Sequence, residues 1–230
     1  MHQVVALVPM KAHSERVPGK NFRTFCGKPL FRWIVDALLS VDIIDQVVIN
    51  TDARDLLREH GLVTGERILV RDRPTELCGD SVSMNAVLAD DIEHVAAETY
   101  VMTHTTNPLL QAGTIETGIR EYRESIQAGF DSLFSVTRVQ TRFYQAYGSP
   151  INHDPDNLVR TQDLEPWFEE DSNLYVFSGA SFRATAARIG RRPALFEVPH
   201  SETMDIDTEE DWNVAEAVGS HLNVDGGVSE

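Results

Sequence analysis

Cysteine is nearly absent from the chain, with only Cys26 and Cys78 in 230 residues and no CxxC pairing. That excludes a disulfide framework or a cysteine-built metal site as the organising device, and a reducing cytoplasm is the simplest setting. The eight histidines lack the H-x-x-x-H or H-x-H spacing that a histidine-built zinc site uses. Positive charge is scarce too: 20 Lys and Arg stand against 36 Asp and Glu, a net charge of −16. Such a balance disfavours nucleic acid and anionic membrane as partners, because both select extended basic surfaces. No run approaches the roughly 18–20 apolar residues that cross a bilayer. The chain moves straight into VVALVP without the charged region and cleavable apolar segment of a signal peptide. The expectation is a soluble, cytoplasmic protein without nucleic acid or membrane partners.

What the chain does have is apolar residues, 42% of the total and spread along its length, enough for one well-packed domain over residues 1–230. Short apolar runs alternate with amphipathic stretches. VVALVP, QVVINT, Arg67–Val70, Tyr100–Thr105 and Ser132–Thr137 read as buried strands. Pro29–Ser40, the ARDLLREHG stretch capped by Asp52 and closed by Gly61, Val82–Glu98 and Gly113–Gln127 read as helices. This rhythm predicts βαβ units and a doubly wound, mostly parallel α/β sheet of Rossmann-like type. It breaks over about 139–173, a stretch rich in proline, acids and aromatics. That stretch predicts an excursion, such as a hairpin or arm packing on a partner subunit. LYVFS, a helix over Ser181–Arg188, LFEVP and a helix from Thr208 complete the pattern, with NVDGGVSE as a frayed tail.

The first βα loop, PMKAHSERVPGKNF, carries Lys11, Arg16 and Lys20 in a chain of opposite net sign. The loop beyond the first strand of such a fold commonly meets phosphate. It is neither GxGxxG nor GxxxxGK[ST], which argues against a dinucleotide dehydrogenase and a P-loop enzyme. A cationic loop of this length can hold a triphosphate through side-chain charge, or it can be an ordinary solvated loop. Near the other end, MDIDTEED places Asp205 and Asp207 on either side of Ile206. If the segment is extended, both carboxylates project to one side, as hard oxygen donors for Mg²⁺. The competing reading is a helix start, with Asp207 as cap and Glu210 three residues on. Asp80 or Ser81 similarly suits the cap of the long helix, and His104, a lone histidine, suits a structural place.

P-M-K-A-H-S-E-R-V-P-G-K-N resembles the signature loop A-R-x-x-S-K-G-x-P-x-K-N of the sugar-acid cytidylyltransferases, the group that includes CMP-sialic acid synthetase. Ser14, Pro18, Lys20 and Asn21 match. Lys11 preserves a charge, and Glu15-Arg16 replaces Lys-Gly. C-G-K-P-L, V-I-N-T-D, R-P-T-E-L-C-G-D-S, V-M-T-H-T-T-N-P-L and D-I-D-T-E-E-D are similar to further family segments in the same order.

The resemblance implies a nucleotidyltransferase sandwich with an inserted dimerisation arm, acting as a homodimer. It implies transfer of CMP from CTP to a keto-sugar acid of sialic type, with release of pyrophosphate and Mg²⁺ held by Asp205 and Asp207. Lys11, Ser14, Arg16, Lys20, Asn21, Arg73 and Ser81 would bind nucleotide, with Lys11, Lys20 and Asp207 catalytic. His104, Arg142 and Asn173 would meet the acceptor. Glu169, Glu170 and Asp171 beside Asn173 would repel an acid unless a cation intervenes, and Arg138 and Arg142 are the nearest in sequence. The alternatives are a GT-A-like glycosyltransferase using a nucleotide sugar, and a cytidylyltransferase acting on a non-sugar phosphate or phosphonate. A GT-A enzyme would carry its D-x-D mid-domain, where this chain reads HTTNP.

Overall fold

The computed structural model describes residues 2–14, 16–79 and 81–225; Glu15, Asp80 and the end of the tail, over which expectations were stated above, lie outside the described residues. The first strand, β1 (His2–Met10), is buried from Val4 through Met10. It has parallel neighbours on both sides: β4 (Gln46–Thr51) and β6 (Ala97–Thr103). Beyond β4 lies β5 (Ile68–Asp72), also parallel. On the other side of β6 come β8 (Trp167–Phe177), β7 (Ser132–Val139) and β9 (Pro193–Glu197), giving the order β5-β4-β1-β6-β8-β7-β9. Only β8 runs against the rest. A short two-stranded ribbon, β2 (Thr24–Phe25) with β3 (Lys28–Pro29), follows the first loop. The expected mostly parallel, doubly wound sheet is therefore present.

Alternation along β1 fills both faces. Val4, Ala6, Val8 and Met10 pack with Phe31, Ile34 and Leu38 of α1 (Leu30–Leu39) and Ile115 and Ile119 of α4 (Ala112–Gln127). Val5 and Leu7 meet Leu88 and Ile92 of α3 (Met84–His94) and Phe182 of α5 (Gly179–Thr185). A strand buried on both faces needs this continuous apolar run. A third cluster joins Val17, Phe25 and Leu30 to Ile206 and to Trp212 of α6 (Glu209–Asp225). It fastens the first loop to the DID segment across nearly the whole chain.

Several local expectations change. Asp52 does not cap α2 (Arg54–Glu59); its Oδ1 accepts from the Ala12 amide at 2.6 Å, tying the first loop to the end of β4. The long helix starts later than expected, and Ser83 caps it by accepting from the Ala86 amide at 3.2 Å, so Ser81 does not have that role. At α6 the cap is Thr208, whose Oγ1 accepts from the Asp211 amide at 3.2 Å, while Asp211 accepts from the Thr208 amide at 2.7 Å. This reciprocal box leaves Asp207 outside the helix start. The excursion is also shorter, since Trp167–Asn173 already belongs to β8 and pairs with β7. Because β8 returns antiparallel, residues 140–166 leave and re-enter the sheet at one edge, the edge where the parallel strands end.

Candidate active site

Gly19 closes the first loop with φ +64, a left-handed conformation that glycine adopts without strain. Its carbonyl then accepts from the amides of Phe22 and Arg23 at 2.9 and 3.1 Å. That turn buries Asn21 and Lys20. Asn21 holds the loop in shape: Nδ2 donates to the Lys11 carbonyl at 2.8 Å, and Oδ1 accepts from Thr105 Oγ1 at 2.7 Å. Thr105 lies in the turn after β6. In the same turn, the carbonyl of Thr106 receives the amide of Ile206 at 2.9 Å. Loop, turn and DID segment therefore meet at the carboxyl end of β1, where open α/β sheets bind ligands.

Between them is a cavity of about 400 Å³ lined by Lys11, Ser14, Arg16, Lys20, Asn21, His104 and Asp207 among others. Seven of the expected site residues are thus brought together. Arg16 Nη2 lies 2.9 Å from Asp207 Oδ2, and Lys20 Nζ lies 3.5 Å from Asp207 Oδ1. Lys20 Nζ also donates to the Ile206 carbonyl. His104 is pushed down to about 4 by burial, helped by the positive charges of Arg188 and Lys20. Its imidazole is therefore neutral at pH 7 and available as a hydrogen-bonding group.

Asp205 points to a different place. It lines a second cavity of about 770 Å³ together with Glu169, Glu170, Asp171, Ser172, His200 and Asp211. Asp205 is exposed as a residue, yet the protein around the carboxyl desolvates it enough to raise its pKa, with Thr106 opposing the rise and Asp207 adding to it. Asp171 is raised by burial as well, although Ser135 Oγ and the Asn173 amide both donate to it. Ile206 between the expected pair of carboxylates is buried, and each carboxylate faces its own cavity.

Arg73 lies on the far side of the loop. Its Nε donates to Asn50 Oδ1 at 2.9 Å and its Nη2 to the Asn50 carbonyl at 2.8 Å. Asn50 is in turn held by Asp91 at 2.8 Å. Burial lowers the Arg73 pKa, and Asp52 works against that. Arg73 lines a third cavity of about 600 Å³ with Thr51, Asp52, Asp72 and Thr75; His13 borders both this cavity and the first.

Three expected residues stand apart from these cavities. Ser81 is exposed in the turn before α3. Arg142 donates to the Val159 carbonyl at 2.6 Å and braces the excursion. Asn173 is fully buried, and neither its Nδ2 nor its Oδ1 has a partner among the described residues. Sequence reasoning overlooked Asp211 and Thr105, which position Asp207 and Asn21, and it overlooked Arg188. The T-x-x-D spacing of Thr208 and Asp211 carried a readable signal; Arg188 carried none.

Among the described residues no group of three His, Cys, Asp or Glu side chains has metal-site geometry. The donors nevertheless fit Mg²⁺, which takes one or two carboxylates, retains water and completes its shell from phosphate oxygens. Asp207 already faces two cations, so a Mg²⁺–triphosphate would satisfy the carboxylate with the metal and the two cations with phosphate.

A strand-end cationic loop facing a carboxylate across a cavity of this size defines a nucleotidyltransferase-type site. The cytidylyltransferase family profile matches residues 5–219. The chain belongs to the cytidylyltransferase family and is a CTP-dependent nucleotidyltransferase. It is 26% identical over 226 residues to pseudaminic acid cytidylyltransferase of Campylobacter jejuni, covering 92% of this chain and 94% of that one. It is 25% identical to CMP-N,N'-diacetyllegionaminic acid synthase of Legionella pneumophila, covering 93% and 95%. N-acylneuraminate cytidylyltransferase of Oncorhynchus mykiss is 29% identical, covering 93% of this chain and 49% of the fish protein. A solved structure of CMP:2-keto-3-deoxy-manno-octonic acid synthetase complexed with CTP shares the fold, with TM-score 0.66, 15% identity and coverage of 96% and 99%.

Proposed function

We propose that this enzyme transfers CMP from CTP to the anomeric hydroxyl of a keto-sugar acid of sialic type, releasing pyrophosphate. The observation that carries the reading is the cavity in which Lys11, Arg16 and Lys20 face Asp207. The acceptor hydroxyl gives up its proton to solvent and its oxygen bonds the α-phosphorus, while the bond from that phosphorus to the bridging oxygen of the β-phosphate breaks and pyrophosphate leaves. Lys11, Arg16 and Lys20 neutralise the charge that grows on departing pyrophosphate, an effect strongest in a site already arranged for it. Asp207, in the phosphate cavity, would hold Mg²⁺, which would supply further charge neutralisation at the phosphates; Asp205, which the resemblance pairs with it, lies toward the acceptor cavity and would reach the metal only by turning to that side. Arg73 would face the nucleoside side of CTP. The named relatives support a sugar acid as acceptor. The acidic second cavity supports a hydroxyl-rich acceptor over a phosphate or phosphonate, whose double charge five nearby carboxylates would repel.

One sheet built from strands spread between residues 2 and 197 supports a single catalytic domain. The excursion exposes Tyr147, Leu158 and Tyr144, in keeping with an arm that packs on a second copy as a homodimer. Free thiols at Cys26 and Cys78 agree with a cytoplasmic setting.

The test is pyrophosphate release with CTP, Mg²⁺ and a panel of nine-carbon sialic-type acids, eight-carbon keto-deoxy acids and phosphate alcohols. Turnover of a keto-sugar acid, lost in Asp207→Ala, is the expected result. Turnover only with phosphate alcohols, or none at all, would overturn the reading.

A further inference from the structure

A sugar acid entering the second cavity meets Glu169, Glu170, Asp171, Asp205 and Asp211, and no lysine or arginine is among the described residues lining it. Yet a keto-sugar acid carries its carboxylate on the anomeric carbon itself, with the carboxylate carbon two bonds from the attacking hydroxyl oxygen. Once that hydroxyl is placed at the α-phosphorus, the carboxylate must lie where the phosphate and acidic cavities meet. A cation has to stand at that junction. Arg142, nominated from sequence, is occupied in bracing the excursion.

Arg188, in the connection between α5 and β9, lines neither cavity itself; it contacts Glu170 of the acidic cavity, and its charge acts on His104 of the phosphate cavity. Its Nη2 donates to Tyr175 Oη at 3.0 Å and lies 3.7 Å from Glu170 Oε1. Its guanidinium carbon lies 4.1 Å over the Tyr175 ring. Glu170 and Ser172, both within hydrogen-bond reach of Tyr175 Oη, line the acidic cavity. On the other side, β6 pairs with β8 so that Met102 lies opposite Tyr175 and Thr103 opposite Leu174. That register sets His104, which lines the phosphate cavity, next to the same end of β8. Asn173, buried and with a side-chain carboxamide that has no partner among the described residues, is two residues before Tyr175 on that strand. The Arg188 side chain keeps 20% exposure, and Glu170 keeps 42%. The contact between them is therefore loose enough to be exchanged.

We infer that Arg188 binds the carboxylate of the sugar-acid acceptor, exchanging its loose contact with Glu170 for a fork-to-fork pair and so aiming the anomeric hydroxyl at CTP. The inference rests on the proposed acceptor class. A planar guanidinium matches a carboxylate bidentately, and stacking on Tyr175 holds that plane in place. Glu170 keeps the arginine oriented before the acceptor arrives.

The test pairs a change in the enzyme with a change in the acceptor. Initial rates are measured for wild type, Arg188→Gln and Arg188→Lys, with the turned-over sugar acid and with its carboxamide. Arg188→Gln is expected to raise KM for the acid by about 10- to 100-fold, the loss of one charge-assisted pair. KM for CTP stays unchanged. The wild-type preference for acid over carboxamide should vanish in Arg188→Gln and partly return in Arg188→Lys. An unchanged acid-to-carboxamide ratio in Arg188→Gln, or equal losses for CTP and acceptor, would overturn the inference and leave Arg188 as packing for Tyr175. Should Arg188→Gln not fold, the ratio in Arg188→Lys decides in the same way. If wild type turns over no keto-sugar acid, the acceptor class itself has failed, and that is visible before any variant is made.

Discussion

The two cavities on either side of the Asp205–Asp207 segment differ in sign. Among the described residues, one is lined by Lys11, Arg16 and Lys20 with Asp207 as its carboxylate; the other collects five carboxylates. The difference arises over two residues, with Ile206 buried between Asp207, which lines the first cavity, and Asp205, which lines the second. A net charge of −16 therefore says little about either site. What decides the ligand is which loops the fold brings to each side. The first cavity is built from the loop after β1, held by Asn21 and Gly19. The second is built from the returning end of β8. A triphosphate suits the first and a polyhydroxylated acceptor the second, with the reacting atoms at the shared wall.

The largest effect is expected from removing the charge at that wall. Asp207→Ala should lower kcat by about 10²–10³-fold, the scale of losing one preorganised electrostatic contact at a reacting phosphate. It should also release Arg16 and Lys20 from their partner. Retention of more than about a tenth of the rate would place the metal-binding role elsewhere.

A second contrast concerns pH, and it sets the acid behind Arg73 against the histidine before the phosphates. Asp91, fully buried against Arg71 and Asn50, is pushed up to about 6 by desolvation. A carboxyl raised in the folded state favours folding while protonated, so its contribution is full below about 4 and is lost as pH rises through about 6. His104, lowered to about 4, has the opposite sign: its contribution is full above about 6.5 and is lost as pH falls through about 4. Asp91→Asn should flatten the decline between pH 4 and 6 by on the order of 2–3 kcal/mol, read from urea midpoints against pH. An identical pH curve in the variant would show that Asp91 stays ionised.

The smallest effect is expected at His104 in activity. As it is neutral across the working range, His104→Gln, which keeps a hydrogen-bonding side chain, should change kcat/KM by less than about twofold at pH 7.5. A pH limb near neutrality present in wild type and missing in the variant would contradict that.

Much of this was readable before the fold was known. The buried strands announce themselves as apolar runs, and the cationic loop stands out against an acidic chain. The D-I-D spacing was readable as two carboxylates flanking an apolar residue, but not their division between two cavities, since the contact of Ile206 with Thr106 fixes the segment only in the fold. The helix caps were misplaced by one or two residues because acids that serve the site look like caps. WFEEDSN did not read as strand because its middle is a run of acids and its first four residues are exposed, and only pairing with β7 makes it one. Arg188 was invisible because nothing in its neighbourhood marks it. The antiparallel return of β8, a property of the whole sheet, brings its partners Tyr175 and Glu170 to the junction.

The most direct test of the division between the cavities is a crystal structure with CTP and Mg²⁺. The triphosphate is expected among Lys11, Arg16 and Lys20, the metal on Asp207, and the pyrimidine toward Arg73, with the acidic cavity left open. A nucleotide seated among Glu169, Glu170 and Asp171, or a metal remote from Asp207, would contradict that division.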